Sequence, residues 1–371
     1  MRFFGIMMNF FDPPKKNTVL VTGASSYLGS LVVAWLLNLD YIVRGTVRSI
    51  EKMPLNLADL TTATSSSRMK NFFLFEADLM DPDQTWSKII EGCDSIVHVA
   101  APNGIIEPKD SEKELMKPTI EGTVKILNLA LILNVKKFVY ISCITTIVTS
   151  DRKNYIFSQK DWADIKQLNK MSLCKYLAER KAWEIYEKNS DKISFTSLVP
   201  GLMMGPSLKR DSNLSSIFLQ KSFDKTLQKV PHISFPMVDV RDVARAVTMV
   251  LNNPISNGKR YLIVQGSYWW QDVANILRVE FEKYGYELPK KKMSNFWIYL
   301  ASWWNPFLSY IKPYLEGELI IDTSLFINEI GMPYRKIEET FIDFAYDLIK
   351  KKLIEDKLFF IGDDQDPPYL H

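Results

Sequence analysis

The stretch Thr18-Val-Leu-Val-Thr-Gly23-Ala-Ser-Ser26-Tyr-Leu-Gly29 decides the fold. It begins as an apolar strand, turns at Gly23 and continues into a helical pattern. So tight a turn needs Gly23, because the backbone must take a conformation that a side chain would hinder. Gly29 permits the helix to pack closely on the strand, and the helix N-terminus offers free N–H groups to a pyrophosphate. The stretch predicts the first strand, phosphate turn and helix of a dinucleotide-binding unit.

One position of this turn departs from the usual pattern. A third glycine is usual where Ser26 stands. The Cβ of Ser26 narrows the approach to a phosphate, whereas its hydroxyl can donate a hydrogen bond. A glycine turn with a merely structural role is the alternative. The cofactor contacts expected here are Gly23, Ser25, Ser26, Tyr27, Leu28 and Gly29.

Strand-like runs alternate with helical patterns over residues 17–199. The runs are short, rich in Val, Ile and Phe, and apolar on both faces, as is typical of parallel strands covered by helices. They are Thr18–Thr22, Tyr41–Val47, Phe72–Phe75, Ser95–Val99, Lys137–Ile144 and Ser194–Val199. Helical segments dominate after Pro200, with strand-like pieces at Pro236–Val240 and Arg260–Val264. The predicted class is α/β, a Rossmann-type doubly wound parallel sheet with a smaller, mostly helical C-terminal substrate part.

The same patterns predict the domain limits. We expect a dinucleotide-binding Rossmann domain over residues 17–199, which also receives about 236–265. Residues 200–235 and 266–360 would form the substrate-binding part at the carboxyl edge of the sheet, where small molecules bind in such folds. Residues 1–16 and 361–371 are expected to be flexible tails.

Composition argues against several classes of protein. The 371 residues carry a net charge of +3, which gives no electrostatic reason to expect a nucleic-acid partner. Three cysteines in a chain of this length do not make a disulfide framework. We see no Cys/His cluster of the kind that binds zinc, and we expect no metal. A cytoplasmic setting is the simplest interpretation.

Two apolar stretches bear on membrane contact. Residues 1–11 lack the small-residue cleavage site of a signal peptide. Residues 296–315 are rich in Trp, Phe, Tyr and Leu, but Asn305-Pro306 and Lys312-Pro313 interrupt them. They fall short of the roughly 18 clean apolar residues of a spanning helix, so integral insertion is not expected. We interpret them as a buried or groove-lining helix pair, with peripheral membrane contact as the alternative.

Cofactor specificity depends on the end of the second strand. An acidic residue there binds the ribose of NAD, whereas an arginine accommodates the 2′-phosphate of NADP. Arg48 occupies this region, so we expect NADP(H) to be preferred and NAD(H) to be the alternative. An arginine that merely faces solvent is the other interpretation. Further cofactor contacts are expected after the third and fourth strands, at Asp78, Leu79, Val99, Ala100 and Ala101.

Ordered motifs along the chain resemble one superfamily. They include Val-Thr-Gly-Ala-Ser at 21–25, Val-Arg-Gly-Thr-Val-Arg at 43–48, Lys-Pro-Thr-Ile-Glu-Gly-Thr at 117–123 and Val199-Pro200. Over roughly residues 17 to 350 the chain resembles the extended short-chain dehydrogenase/reductases, the NAD-dependent epimerase/dehydratase superfamily. Within it, the chain looks like the dihydroflavonol reductase and cinnamoyl-CoA reductase branch. The resemblance adds Pro200 to the expected cofactor contacts.

The resemblance implies hydride transfer to or from a carbon that bears oxygen. In this family a Tyr-x-x-x-Lys pair shares one helix face, and the lysine charge lowers the pKa of the tyrosine. A serine after the fifth strand holds the substrate oxygen. Lys175 aligns with the lysine and should also contact the nicotinamide ribose. Met171 stands at the tyrosine position and Cys143 at the serine position, one residue after Ser142.

These departures leave the proton donor open. Methionine cannot transfer a proton, and a thiol is a weak hydrogen-bond partner. Ser142 should point away from Cys143, because side chains alternate along a strand. Three alternatives to a tyrosine at position 171 are open. The motif could be shifted by register along the helix, another proton donor could come from the substrate part, or Cys143 could act as a nucleophile. The residues concerned are Tyr176 with Arg180 for the shift, and Tyr268 or His232 for the other donor.

Two functions follow from this pattern. The first is an NADP(H)-linked oxidoreductase of the CH–OH donor class that acts on a hydrophobic small molecule. The second is a catalytically inactive NADP(H)-binding sensor or scaffold, because losing a general acid typically costs about 10²–10⁴ in rate. The expected partner is a hydrophobic substrate or ligand, and dimers are common in the family, so a homodimer stays open.

Overall fold

The computed structural model describes residues 17–51, 60, 63–102, 108–149, 155–208, 213–223, 229–303, 315 and 317–358. The tails predicted at 1–16 and 361–371 lie outside the described residues. So do the apolar run at 1–11 and residues 304–314 of the second apolar stretch.

The strands and helices alternate over the first half of the chain. The strands are β1 (Thr18–Thr22), β2 (Ile42–Val47), β3 (Phe72–Glu76), β4 (Ser95–His98), β5 (Lys137–Ile141), β6 (Ile156–Phe157), β7 (Ser194–Pro200), β8 (Leu202–Met204), β9 (Lys229–Val230), β10 (Ser234–Asp239), β11 (Lys259–Ile263), β12 (Gly266–Trp269), β13 (Lys291–Lys292) and β14 (Ile320–Ile321). The α-helices are α1 (Tyr27–Asn38), α2 (Ser66–Met69), α3 (Asp83–Ile90), α4 (Lys117–Ile132), α5 (Lys170–Glu187), α6 (Leu214–Phe223), α7 (Val240–Asn252), α8 (Trp270–Phe281), α9 (Asn295–Ala301), α10 (Ser324–Ile330) and α11 (Ile337–Lys350).

Seven parallel strands form the main sheet, in the order β11-β7-β5-β4-β1-β2-β3. The strand order changes direction between β1 and β4. In an open α/β sheet this switch point opens a crevice beyond the carboxyl ends of the strands, where ligands bind. The α/β, Rossmann-type doubly wound class predicted from the sequence is confirmed.

Helices cover both faces of this sheet. Val19 and Val21 of β1 belong to the core beneath α1 and α7, whereas Leu20 belongs to the core beneath α3, α4 and α5. Adjacent residues of a strand point to opposite faces, so both sets must be apolar. This explains why the strand-like runs of the sequence lack polar alternation.

Two strand predictions need correction. The strand expected to reach Ile144 ends at Ile141, and residues 144–146 form a 3₁₀ turn instead. The strand expected at Pro236–Val240 does not join the Rossmann sheet. It is β10, which lies between β8 and β12 in a separate three-stranded sheet. Gly201 permits this pairing, because a Cβ at that residue would lie 2.6 Å from the carbonyl oxygen of Pro236.

The C-terminal elements share a second apolar core. Trp270 and Phe281 of α8 pack with Phe341 and Phe344 of α11 in this core, and all four are buried. Ile298 of α9 belongs to the same cluster. The core places the C-terminal elements beside β8 and β10. Strand β8 comes directly after β7, at the carboxyl end of the main sheet.

Helix α9 covers the described start of the stretch 296–315, where we expected a buried or groove-lining helix pair, and it is buried on one side only. Ile298 is fully buried, but Phe296, Trp297 and the following Trp303 are 67%, 59% and 85% exposed. Sequence hydrophobicity alone does not say which side of a helix is covered. Among the described residues, no helix has both the length and the apolar character that crossing a bilayer requires.

Candidate cofactor and active site

The turn between β1 and α1 has the shape that the sequence predicted. Gly23 adopts φ +68°, where a side chain is strained, and its Cβ would also lie 3.0 Å from the Cα of Ala100. A Cβ on Gly29 would lie 2.2 Å from the carbonyl oxygen of Gly23. Both positions therefore require glycine, the first for conformation and the second for close helix–strand packing.

Ser26 caps the helix that follows. Its Oγ accepts a hydrogen bond from the N–H of Gly29 at 3.0 Å, and its carbonyl oxygen accepts from Ser30 at 3.1 Å. The N–H groups of Tyr27 and Leu28 receive no acceptor from the part of the chain that the structure describes. Unsatisfied N–H groups and the helix dipole favour an anion at this end. The turn thus fits the pyrophosphate of a dinucleotide, and the half-buried Ser25 adjoins it.

Two arginines of the β2 region have different surroundings. Arg44 donates to the carbonyl oxygens of Ile89 and Glu91 at 2.7 and 2.8 Å, so it is held within the protein. Arg48 follows the end of β2, is exposed, and has no ion pair or hydrogen bond within the described residues. Its guanidinium is therefore available to a phosphate.

The residues after β3 and β4 border the same crevice. Asp78 closes a turn: its carboxylate accepts from the N–H of Met80 at 2.9 Å, and its own N–H donates to Asp81 at 2.8 Å. Leu79 is buried, and its Cβ would lie 2.9 Å from a Cβ on Gly122. The adenine contact expected of Asp78 and Leu79 stays a prediction.

Thr22 fixes the chain beyond β4. Its Oγ1 accepts hydrogen bonds from the N–H groups of Val99 and Ala100, each at 3.1 Å. Val99, Ala100 and Ala101 are half-buried, whereas Pro200, at the end of β7, is buried. The structure therefore brings the predicted residues of β1, β4 and β7 to one edge of the sheet.

Lys175 and its neighbours lie at the end of β5. The Nζ of Lys175 donates to the carbonyl oxygen of Ile141 at 3.2 Å. Burial lowers the pKa of Lys175, and the electrostatic influence of Cys143 and of the Glu179 carboxylate opposes that shift. Met171 is half-buried one helical turn earlier on α5, on the same face. Cys143 is half-buried, and its sulfur accepts from the Oγ1 of Thr145 at 3.2 Å.

A buried polar network beneath this site was not predicted from the sequence. Glu179 is fully buried, and its carboxylate accepts from Ser142 at 2.5 Å and from Ser197 at 2.6 Å. Arg260 donates to the same carboxylate at 2.8 Å. Burial alone would raise the pKa of Glu179, but Arg260 and the hydroxyl donors outweigh it and hold that pKa below its ordinary value. The sequence did contain one signal for this network: Glu179 is a charged residue four positions after Lys175, on the same face of the helix.

The network determines where Ser142 points. Its hydroxyl binds Glu179 inside the protein, whereas Cys143 stays accessible, so the alternation expected from the strand is confirmed. Ser142, which we expected among the catalytic residues, is instead engaged in the buried network. Cys143 is the residue that faces the site from this strand end.

The other proton-donor alternatives receive little support. Tyr176 packs edge-on against Trp162 at 5.2 Å, and Arg180 lies 4.9 Å from the same ring. Tyr176 and Arg180, the pair that a register shift would require, therefore both lie on the side of α5 that contacts Trp162. His232 stacks on Trp269 at 4.2 Å. Within the described chain, no hydrogen bond joins His232 or Tyr268 to Lys175.

Tyr27 connects the phosphate turn to the C-terminal part. Its hydroxyl donates to the carbonyl oxygen of Gly205 at 2.6 Å, and its ring stacks on Phe344 at 6.5 Å. Burial and the nearby charge of Asp239 raise the pKa of Tyr27. Since its phenol is directed to Gly205, its free backbone N–H is the group available for the cofactor contact that we expected.

Comparison with known proteins supports this architecture. The sequence pattern of the NAD dependent epimerase/dehydratase family matches residues 19–263. The chain belongs to this family. Cinnamoyl-CoA reductase 1 of Arabidopsis thaliana is 30% identical over 284 residues, which cover 75% of this chain and 78% of that epimerase/dehydratase relative. A dihydroflavonol 4-reductase of the same plant is 34% identical over 201 residues, 52% of this chain, and the match spans only 50% of its length.

Solved structures of two reductases share the fold. Yeast methylglyoxal/isovaleraldehyde reductase Gre2, complexed with NADPH, superposes with a TM-score of 0.73 at 24% identity, over 90% of this chain and 99% of that one. Gre2 of Candida albicans in complex with NADPH has a TM-score of 0.72 at 25% identity, with the same coverage. The family resemblance and the Rossmann fold inferred from the sequence are thus confirmed.

Proposed function

We propose that this chain is an NADP(H)-dependent oxidoreductase that interconverts a carbonyl and an alcohol on a hydrophobic small molecule. One observation supports it most: the unsatisfied helix N-terminus at Tyr27 and Leu28 and the amine of Lys175 lie at the same carboxyl edge of the sheet. The first suits a pyrophosphate, and the second suits the reacting end of the same cofactor.

The choice of NADP(H) over NAD(H) follows from Arg48. Its exposed guanidinium, which has no partner among the described residues, stands after β2, where a 2′-phosphate would be bound. The two Gre2 structures were solved with NADPH, and the relatives' names describe reductases. These comparisons support both the cofactor and the reaction class.

The proton is the unusual part of the chemistry. A bound nicotinamide would supply or accept the hydride. Carbonyl reduction also needs one proton on the new alkoxide, which the thioether of Met171 cannot give. Among the described residues at this edge, the ammonium of Lys175 and the thiol of Cys143 are two groups that carry exchangeable protons. We assign the proton to Lys175, because its Nζ lies at the end of β5, where it donates to the carbonyl oxygen of Ile141, and burial lowers its pKa from the ordinary lysine value.

A second function is favoured by one specific observation. Met171 and Cys143 together replace both hydrogen-bonding groups that the family resemblance implies at the substrate oxygen. These two replacements are what we would expect in a protein that binds NADP(H) without turnover, as a sensor or scaffold. The two proposals share the cofactor and differ only in turnover.

The deciding experiment follows NADPH oxidation with a panel of hydrophobic ketones and aldehydes. An enzyme turns over at least one of them, and Lys175→Ala lowers that rate by about 10²-fold or more at saturating NADPH. The matched control is Lys181→Ala, the same change at an exposed residue of the same helix, which should leave the rate unchanged.

The inactive alternative makes a different prediction. Wild type then reduces nothing, and Met171→Tyr combined with Cys143→Ser gains turnover. If wild type shows no turnover and this double variant folds, binds NADPH and still reduces nothing, the proposed reaction is wrong.

A further inference from the structure

Helix α9 presents large apolar side chains to solvent. We call Phe296, Trp297, Tyr299, Leu300 and Trp303 the aromatic face; their exposed fractions are 67%, 59%, 43%, 43% and 85%. At 100° per residue these positions share one broad side of the helix, and Ile298 and Ser302, both buried, lie on the other. Single exposed apolar residues are ordinary, but a contiguous group of this size indicates a binding surface.

A cluster of lysines adjoins the aromatic face. Strand β13 (Lys291–Lys292) runs parallel to β9, which sets Lys291 opposite Lys229 although 62 positions separate them. Lys229, Lys291 and Lys292 are exposed and have no carboxylate partner within the described chain. The neighbouring Lys290 pairs with Glu282 at 2.9 Å. We call Lys229, Lys291 and Lys292 the basic cluster.

The two features are joined rigidly. The N–H of Met293, between β13 and α9, donates to the carbonyl oxygen of Val230 at 2.7 Å. At the other side, Ile298 anchors α9 in the C-terminal core with Trp270 and Phe341. The fold therefore holds the exposed basic cluster beside the N-terminal end of α9, and we call the basic cluster and the aromatic face together the docking surface.

We propose that this surface docks the protein onto an anionic lipid bilayer. Trp, Tyr and Phe rings favour the level of the lipid headgroups, and nearby lysines are attracted to anionic lipids. The seven residues of α9 are far fewer than the roughly 20 that span a bilayer, so the helix lies in the interface plane. The proposal does not depend on the proposed reaction.

Charge makes a lipid surface a better occupant than a second copy of this chain. A twofold contact places the same patch on both subunits, so it brings two basic clusters into one interface and supplies no carboxylate from the named patch residues to neutralise them. Protein partners also tend to exclude lysine from the core of an interface. An anionic bilayer offers negative charge to the lysines and an apolar interface to the aromatic rings at the same time.

Vesicle flotation tests the proposal with the full chain. We expect the protein to float with vesicles of phosphatidylcholine and phosphatidylserine in equal amounts, to float poorly with phosphatidylcholine alone, and to be released by high salt. Lys291→Glu with Lys292→Glu should weaken the partition by about 25-fold or more, since each lysine near such a surface contributes about fivefold. Trp297→Ser with Trp303→Ser should weaken it as well.

The matched control is Lys181→Glu with Lys188→Glu, the same charge change at two exposed residues, one on α5 and one directly after it. It should bind vesicles like wild type. Failure of wild type to float, or equal flotation of the Lys291/Lys292 variant and the control, overturns the proposal. A concentration-dependent dimer in sedimentation that the tryptophan variant abolishes, without vesicle binding, assigns the surface to a second copy and also overturns it.

Discussion

The hydroxyl of Ser142 donates a 2.5 Å hydrogen bond to the buried carboxylate of Glu179. This bond turns the serine into the protein and leaves the next residue, Cys143, as the one that faces the site. Glu179 also binds Arg260, which makes it the centre of a charged network in an otherwise apolar region. The orientation of the strand end beside Lys175 therefore depends on a carboxylate that never meets solvent.

Replacing that carboxylate should destabilise the protein strongly. Glu179→Gln leaves Arg260 buried without its countercharge, and we expect the free energy of unfolding to fall by about 3–5 kcal/mol in urea titrations at neutral pH. Glu282→Gln, which breaks the exposed pair with Lys290, is the matched control and should cost about 0–1 kcal/mol. Equal effects of the two substitutions would contradict the role assigned to the network.

The same carboxylate should give the protein an acid-sensitive stability. The pKa of Glu179 is lower in the folded state than its ordinary value, so its contribution is fully present above about pH 5 and is lost as the pH falls through the folded pKa. Urea midpoints of wild type should thus decline on acidification, and those of Glu179→Gln should decline less. Identical slopes for the two proteins would be inconsistent with this linkage.

The phosphate turn should tolerate no side chain at Gly29. A Cβ there would lie 2.2 Å from the carbonyl oxygen of Gly23, so Gly29→Ala must displace the turn. We expect a loss of about 1–3 kcal/mol in unfolding free energy together with loss of NADPH binding. Gly317→Ala is the control, because its Cβ would meet nothing within 4 Å. A Gly29→Ala protein that binds NADPH like wild type would show that the turn does not hold the cofactor.

Arg48 should set the preference between the two nicotinamide cofactors. Arg48→Glu replaces a cation with a carboxylate that repels the 2′-phosphate and can accept from a ribose hydroxyl. Calorimetric titration should show NADPH affinity falling by about 10-fold or more, which corresponds to the loss of about 1.4 kcal/mol, with NADH affinity unchanged or improved. Lys88→Glu, the same charge change at an exposed residue of α3, should change neither. If Arg48→Glu lowered the affinities for NADPH and NADH equally, the role of Arg48 would be structural.

The sequence predicted those parts of the fold that local patterns determine. A few neighbouring residues are enough to recognise the glycine turn at Gly23 and Gly29 and the apolar strands, because the backbone conformation or the close packing at these positions permits few other residue types. The contact between Glu179 and Arg260 joins positions 81 residues apart, which no local pattern reveals. Membership of β10 in the smaller sheet likewise depends on pairing with β8 and β12.

The exposed helix α9 shows a second kind of limit. Its composition indicates that apolar side chains need a partner, but whether that partner is the protein core or something outside depends on the whole fold. The active site illustrates the same point. The sequence shows Met171, and strand alternation predicts that Ser142 points away from Cys143. The carboxylate of Glu179 that binds the Ser142 hydroxyl is known only from the fold.

The most direct test of the central claim is a titration of the purified protein with NADPH and, separately, NADH, following nicotinamide fluorescence. The N–H groups of Tyr27 and Leu28 and the guanidinium of Arg48 have no partner in the described part of the chain. They predict saturable binding of NADPH, at least about tenfold tighter than that of NADH. Absence of binding by either cofactor would contradict the account, since it would leave a Rossmann scaffold without its ligand.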